Sequence, residues 1–416
     1  MSRRVAIVGA GLAGVCTAFE LAALGCEVRV FERHGSVAEQ ASFAGSATLM
    51  PPLPLGPRPP APLSWRWRSH RTSKRQTPPQ ELLLALGQLS LERTAELRRM
   101  LGVDDESATG LLVALTTTQQ QADLAAALPD WKALGLAAEL LDAEAARRLE
   151  PGLAPEAPLL GGLSLTNSGT GNARRFAQQL RLQAQRLGAR FSFHTTVRAL
   201  QPEGKGWLLR HEYTPPTEAP VRGQEREAGD TQPQAPGPQD ERFDAIVLCN
   251  GQDASALLGS KHGLALATLH EASVTAPLRI VEGYPDLGPR AALVDPARGL
   301  SIARIGQRVR VTGGQLITAT GASARADHEA LHRGLQHWYP GSVLHQQVQQ
   351  GQSARPVTPD GLPLLGASAQ PGLWLHVAPG WQGWGLACGS AHQLARLIDD
   401  RRTELDLTPL SPQRQG

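Results

Sequence analysis

Cysteine is scarce: four residues, Cys16, Cys26, Cys249 and Cys388, are spread along 416 positions and form no C-x-x-C pair. That dispersion excludes a disulfide framework and a zinc ribbon and suits a reducing, cytoplasmic setting. Aromatics make up only 4% of the chain, and tyrosine occurs only at Tyr213, Tyr284 and Tyr339. Neither charge sign dominates. With 41 basic and 38 acidic residues the formal net charge is +3, so the chain as a whole is not built for nucleic acid. A membrane span is missing too. The nearly apolar run from Ala6 to Gly25 carries Gly9, Gly11 and Gly14 and is interrupted by Glu20, which suits a nucleotide-binding strand and helix better than a signal peptide.

What is present is globular material: 41% hydrophobic residues with 43 Gly and 32 Pro, enough for a large core with many turns. The length suits two intimately joined domains. Val5 to Val8 form a short apolar strand, Leu12 to Leu24 have helix-forming composition, and Glu27 to Phe31 form a second strand. This is a βαβ unit. Proline density forbids regular structure from Met50 to Pro62. Helices are expected at Glu81–Met100, Gln119–Leu128 and Arg174–Leu187, and strands at Arg190–Val197 and Phe243–Cys249. Between those two strands, 214–241 lacks apolar periodicity and reads as a solvated insertion. Leu300–Ile305 and Arg308–Thr312 alternate and suggest antiparallel strands.

Gly9-Ala-Gly11-Leu-Ala-Gly14 falls between the first strand and the first helix. In that context G-x-G-x-x-G is a specific signal: the first glycine permits the tight turn, the second lets backbone approach a pyrophosphate, and the third lets helix and strand pack closely. The helix N-terminus then offers N–H groups and a positive dipole end to phosphate. Glu32 closes the second strand, where a carboxylate binds ribose hydroxyls and repels a 2′-phosphate, so the ligand is FAD or NAD and not NADP. Glycines placed for tight packing alone are the plainer alternative.

Near the C-terminus the chain reads Arg355-Pro-Val-Thr-Pro-Asp360-Gly and then Gly383-Trp384-Gly385-Leu-Ala-Cys388-Gly-Ser390. With the fingerprint, Ser42-Phe43-Ala44, Gly169-Thr-Gly171, Ile302-Ala-Arg304 and Gly313-Gly314, these stretches resemble the D-amino-acid oxidase superfamily, and most of all its D-amino-acid dehydrogenase small-subunit family. The resemblance implies an α/β fold: a Rossmann-like FAD-binding domain from 1–80, 151–268 and 346–416, and a discontinuous α+β substrate domain on an antiparallel sheet from 81–150 and 269–345. It implies noncovalent FAD, oxidation of a D-amino acid to an imino acid, and electrons passed to a quinone or other acceptor. Cofactor contacts are expected at Gly9, Gly11, Gly14, Glu32, Arg33, Ser42, Val197, Gly251, Gly380, Gly383, Trp384 and Gly385. The helix opened by Gly383 to Gly385 is expected to stabilise negative charge on reduced flavin. Arg355 is the expected carboxylate clamp, with a surface or interdomain ion pair as its alternative, and Val197 is either an adenine neighbour or a plain strand core residue. A glycine- or sarcosine-type oxidase, and an FAD-binding subunit without its own activity, remain the other functional readings.

Three places depart from the family pattern: Gly45 replaces the asparagine of S-F-A-N, Ala378-Pro379-Gly380 replaces G-H-G, and His270-Glu271-Ala272-Ser273 replaces K-G-Y-S. All are expected beside flavin or substrate, with Ala272 marking a lost pocket tyrosine, and they point to a different amine or to impaired catalysis. His328-Glu329-Ala330-Leu331-His332 matches H-E-x-x-H but has no supporting third ligand motif, so it reads as a solvated helix face and no metal is expected. The basic, tryptophan-containing stretch 64–75 reads as a solvated loop or as a contact with anionic lipid on the inner face of the membrane.

Overall fold

The computed structural model describes residues 2–55, 59–66, 80–215, 237–259, 264–283, 287–380 and 382–415. Residues 67–75 of the expected membrane contact 64–75 and residues 216–236 of the expected insertion lie outside them.

Two sheets organise the molecule. The six-stranded sheet runs in the order Leu364–Ala367, Leu373–Val377, Ala245–Leu248, Arg4–Val8, Glu27–Phe31, Arg190–Ser192, parallel except for its first pair. Val5, Ala6 and Ile7 are fully buried, as a strand covered on both faces requires. The helix Leu12–Ala23 is buried almost all round. It packs between the sheet, the helix Ala173–Arg186 and the final helix Gly383–Ile398, which in turn packs on the long helix Gln80–Leu101. A charge cluster staples this stack: Arg93 donates to both oxygens of buried Glu20, at 2.8 and 3.1 Å, and His392 Nδ1 lies 3.0 Å from the same carboxylate. Removing one partner of such a pair costs ~3–5 kcal/mol, because it strands a buried charge.

The nine-stranded sheet joins Gln349–Val357, Ala267–Pro277, Arg308–Thr318, Leu300–Ile305, Ala292–Asp295, Thr109–Leu115, Gly161–Thr170 and Thr48–Leu49 in that order, with Ala138–Asp142 also on Gly161–Thr170. All its pairs are antiparallel except Ala292–Asp295 with Thr109–Leu115. Side chains alternate along a strand. Ala272, Val274, Ala276, Val309, Val311 and Ile302 therefore enter one apolar core with Leu331, Leu335 and Trp338 of the helix His328–Trp338. Polar residues take the other face. Ala272 is thereby a core residue on the apolar side, not the pocket position expected for it.

Several boundaries differ from the sequence expectation. The strand expected at Arg190–Val197 breaks at His194, whose φ is +51°, and resumes at Thr195 in a separate three-stranded sheet with Gly206–Tyr213 and Gln239–Phe243. That last strand begins inside the expected insertion. The run from Phe243 to Cys249 divides at Asp244, whose carboxylate accepts the Arg4 N–H at 2.7 Å, so that Phe243 and Ala245 belong to different sheets. By sheet membership, Thr48–Leu49, Gly161–Thr170 and Gln349–Val357 lie with the large sheet.

Candidate active site

The glycine turn closes against the end of the neighbouring parallel strand. Gly9 has φ +98°, and a Cβ there would stand 2.9 Å from the Cys249 carbonyl oxygen, while one on Gly14 would collide with the Gly9 carbonyl. Only glycine permits this approach. Gly11 caps the helix, and Leu12 N–H donates to Ser42 Oγ at 3.2 Å. Glu32 is buried at the end of its strand and accepts from Ala10 N–H at 2.6 Å and His34 N–H at 2.9 Å. Its backbone joins the turn ahead of Val197: Glu32 N–H donates to Ser192 O at 2.9 Å, and Thr195 N–H to Glu32 O at 2.7 Å. Arg33 bonds Asp253, 2.9 Å away, in the short turn Gly251–Asp253. Gly9, Gly11, Gly14, Glu32, Arg33, Val197 and Gly251 thus gather at the C-terminal edge of the parallel sheet, where such folds bind nucleotides. Val197 is itself a core residue, packed with Phe31 and Trp207. Asn250 Oδ1, between Cys249 and Gly251, is buried without a partner among the described residues, as a group awaiting a ligand would be.

The segment 42–50 links this edge to the final helix. A Cβ on Gly385 would collide with the Met50 carbonyl, and Gly171 N–H donates to Ala47 O at 3.1 Å. Trp384 is buried beside Phe176, ring centroids 6.5 Å apart, and its Nε1 has no partner among the described residues. Inside the stack, Cys16 and Cys388 sulfurs lie 3.8 Å apart, so the first and last helices touch along their length. Leading into the final helix, Ala378 has φ +49° and Gly380 φ +72°. The left-handed region costs a residue with a Cβ about 1 kcal/mol. Ala378 holds it where the resembled family carries a glycine. A Cβ on Gly380 would stand 2.9 Å from the Gly361 carbonyl oxygen, and one on Gly383 would stand 3.1 Å from Pro379 Cγ.

Facing the 42–50 segment is the polar side of the large sheet. Register places Arg355 opposite Leu269, Ser353 opposite Glu271, Gly351 opposite Ser273, and Thr275 opposite Arg310. Arg355 Nη1 lies 3.1 Å from Glu271 Oε2, and Gln315 Nε2 donates to Glu271 Oε1 at 2.7 Å. The Arg355 and Glu271 side chains are only 12% and 4% exposed, so Arg355 is a largely shielded group with a buried acid beside it and not a surface ion pair. Arg310 donates to Thr275 Oγ1 at 2.9 Å and to the carbonyls of Phe43 at 2.7 Å and Gly45 at 3.3 Å. No carboxylate pairs with it among the described residues. Burial, with the charge of Arg308 added, pushes its guanidinium down to about 10. A hydroxyl chain runs from Ser46 to Ser301 at 3.1 Å and on to Thr312 at 2.8 Å. Gly45 belongs to this wall: a Cβ there would press on the Ala41 carbonyl at 2.8 Å, so this backbone has no room for a side chain.

One end of the polar face is apolar. Ala61 and Trp65 pack on Ala267, Leu269, Ile317 and Val357. Trp65, at the start of the stretch read as a solvated loop or a lipid contact, is partly buried against this patch beside the strand that carries Arg355. The sequence places 270–273 beside the site but assigns no role to Glu271, and it does not single out Gln315, Arg310 or the hydroxyl chain; the signal available is the run of Ser, Thr, Arg and Glu at alternate positions of 269–275 and 308–312. The H-E-x-x-H helix holds no metal cluster among the described residues. There, Leu331 faces the core and His328 Nε2 lies 3.0 Å from the Gly351 carbonyl.

A family model described as DAO, FAD dependent oxidoreductase, matches residues 4–397. The chain is 29% identical over 445 residues to a D-amino acid dehydrogenase of Rhizobium rhizogenes, covering 99% of this chain and all of that one. It is 30% identical over 444 residues to a D-amino acid dehydrogenase of Cereibacter sphaeroides, covering 99% and 95%. The crystal structure of glycine oxidase from Geobacillus kaustophilus superimposes with a TM-score of 0.72 at 22% identity, covering 99% and 98%. With a dinucleotide turn built as the fold requires and a family match that runs nearly end to end, the chain belongs to the DAO family of FAD-dependent oxidoreductases.

Proposed function

We propose that the protein oxidises the CH–NH2 group of D-amino acids to imino acids, which water converts to 2-oxo acids and ammonia. The observation that carries this reading is the largely shielded Arg355, on a polar sheet face whose Arg310 is hydrogen-bonded to the segment that Ser42 ties to the glycine turn. A guanidinium there clamps the substrate carboxylate and fixes the Cα–H. When bound, FAD accepts the hydride. Gly9, Gly11, Gly14, Glu32, Arg33, Ser42, Val197 and Gly251 hold its adenosine and pyrophosphate end. Gly380, Gly383, Trp384 and Gly385 would hold the flavin end, where the N-terminal N–H groups of the final helix would stabilise negative charge on the reduced ring. The parallel sheet with its helices serves as the FAD-binding domain and the large sheet as the substrate domain.

FAD binds without a covalent link. All four cysteines are buried, and burial pushes the Cys249 thiol up to about 12, so no reactive thiolate is offered to the ring. Retention of yellow colour in the pellet after acid precipitation would contradict this. The D configuration, and an acceptor other than oxygen for which quinone is our proposal, rest on the relatives named D-amino acid dehydrogenases. Among the described residues no helix is long and apolar enough to cross a membrane. Any approach to a membrane quinone would be peripheral, through 64–75.

An anaerobic spectral screen of the purified yellow protein against D- and L-alanine, glycine, sarcosine and proline tests the reading. Bleaching of the flavin by the D-amino acid, with colour restored by a soluble quinone, is expected. Bleaching by glycine or sarcosine alone, with peroxide formed in air, would replace it with the oxidase reading. Bleaching by none would leave an FAD-binding subunit.

A further inference from the structure

Where the resembled family carries glycine in K-G-Y-S, this chain places an acid, Glu271, and its side chain lies on the same sheet face as Arg355. Glu271 is 3% exposed and sits between Gln315 at 2.7 Å and Arg355 at 3.1 Å. Beside it Ser353, 1% exposed, has a buried hydroxyl with no hydrogen-bond partner among the described residues. A buried acid needs recompense for its lost hydration, and a buried pair is often no more stable than apolar side chains of the same size. Packing alone therefore gives no reason for an acid here, while substrate recognition does.

We propose that Glu271 is a specificity-determining residue that binds the substrate's α-ammonium while Arg355 binds its carboxylate, so that the pair reads an amino-acid zwitterion as a unit. The proposal rests on the functional reading above. An amino acid offers a negative and a positive group two bonds apart, and the Arg355–Glu271 pair offers the complementary charges 3.1 Å apart. Charge bookkeeping favours the match: the pair is neutral, the zwitterion is neutral, and one buried ion pair becomes two. A simple carboxylate meets the opposite situation. It must take Arg355 from Glu271 and leave that carboxylate buried and uncompensated, which disfavours the wrong ligand. Ser353 supplies a hydroxyl at the same spot.

Glu271→Gln keeps the shape and the Gln315 contact and removes only the charge. The FAD-loaded wild type and variant are compared with two probes: D-alanine, as KM and as the dissociation constant for anaerobic binding, and propionate, as a dissociation constant from its perturbation of the flavin spectrum. The two constants are expected to move in opposite directions, about tenfold or more weaker for D-alanine and tighter for propionate, as loss of one charge-assisted bond and of the uncompensated acid implies. A parallel change in both, or no change in either, would overturn the proposal. Glu271→Ala provides the check if Gln substitutes for the acid as an acceptor: the same opposite signs are expected, and a parallel loss with lowered melting temperature would mark a merely structural acid. Wild-type enzyme that binds both probes yet oxidises no amino acid would sink the functional reading alone, because the opposite-sign test is then read from the dissociation constants.

Discussion

The nucleotide edge and the polar face of the large sheet lie against each other but are assembled in different ways. The first is written in contiguous residues: Gly9, Gly11, Gly14 and Glu32 fall in one βαβ unit, and local geometry alone brings them together. The second is written in register. Arg355, Glu271, Gln315, Arg310, Thr312 and Ser301 come from four strands and meet only because those strands pair as they do. A one-residue slip would turn the whole polar set into the apolar core. Cofactor binding is therefore expected to be intolerant of backbone change and substrate recognition to depend on individual side chains, which makes the second the easier half to retune.

The comparison breaks first, and with the largest effect, at Gly14. Gly14→Val places branched carbons against the Gly9 carbonyl, where overpacking costs ~3 kcal/mol or more because backbone cannot yield as a side chain does. Purified variant is expected to carry little flavin and to melt lower. Full flavin occupancy would show that the close helix–strand packing at Gly14 does not shape the cofactor site as described.

Acid sharpens the contrast with a smaller effect. His376, in the parallel sheet beside Thr17 Oγ1 at 3.0 Å, is held neutral by burial, its pKa lowered to about 4. A lowered folded-state value means that the unfolded chain takes up the proton first, so stability is complete above about 6.5 and falls as pH drops toward 4, by of order 2 kcal/mol at pH 5. Glu150, in contact with Tyr339 under the large sheet, has the opposite sign: burial raises it against the amides of Arg290 and Ala291, so acid favours its folded, protonated form. Amide hydrogen exchange at pH 7 and pH 5 is expected to show protection lost around 364–377 and kept around Glu150. Equal loss in both, or no change in His376→Gln relative to wild type, would remove the distinction.

How much was legible follows the same division. The fingerprint, the final helix opening at Gly383, the strand Leu300–Ile305 and the first half, Arg308–Thr312, of the strand Arg308–Thr318 could be read because each depends on composition and periodicity within one segment. The breaks at His194 and Asp244 could not, since each is set by which sheet the next residues join. Ala272 reads as a pocket position from the motif alone, because only strand register sends its side chain into the core and Glu271 toward Arg355. Arg310 was passed over because alternation along 308–312 looks the same whether the polar side meets water or a site.

The central claim is that the polar sheet face and the glycine turn serve one cofactor and one substrate. Titration of the FAD-loaded protein with propionate, followed by the visible flavin spectrum in wild type and Arg355→Ala, tests it most directly. A saturable spectral shift in the wild type, weakened ~100-fold or abolished in the variant, is the expected result. An identical shift in both proteins would contradict the account.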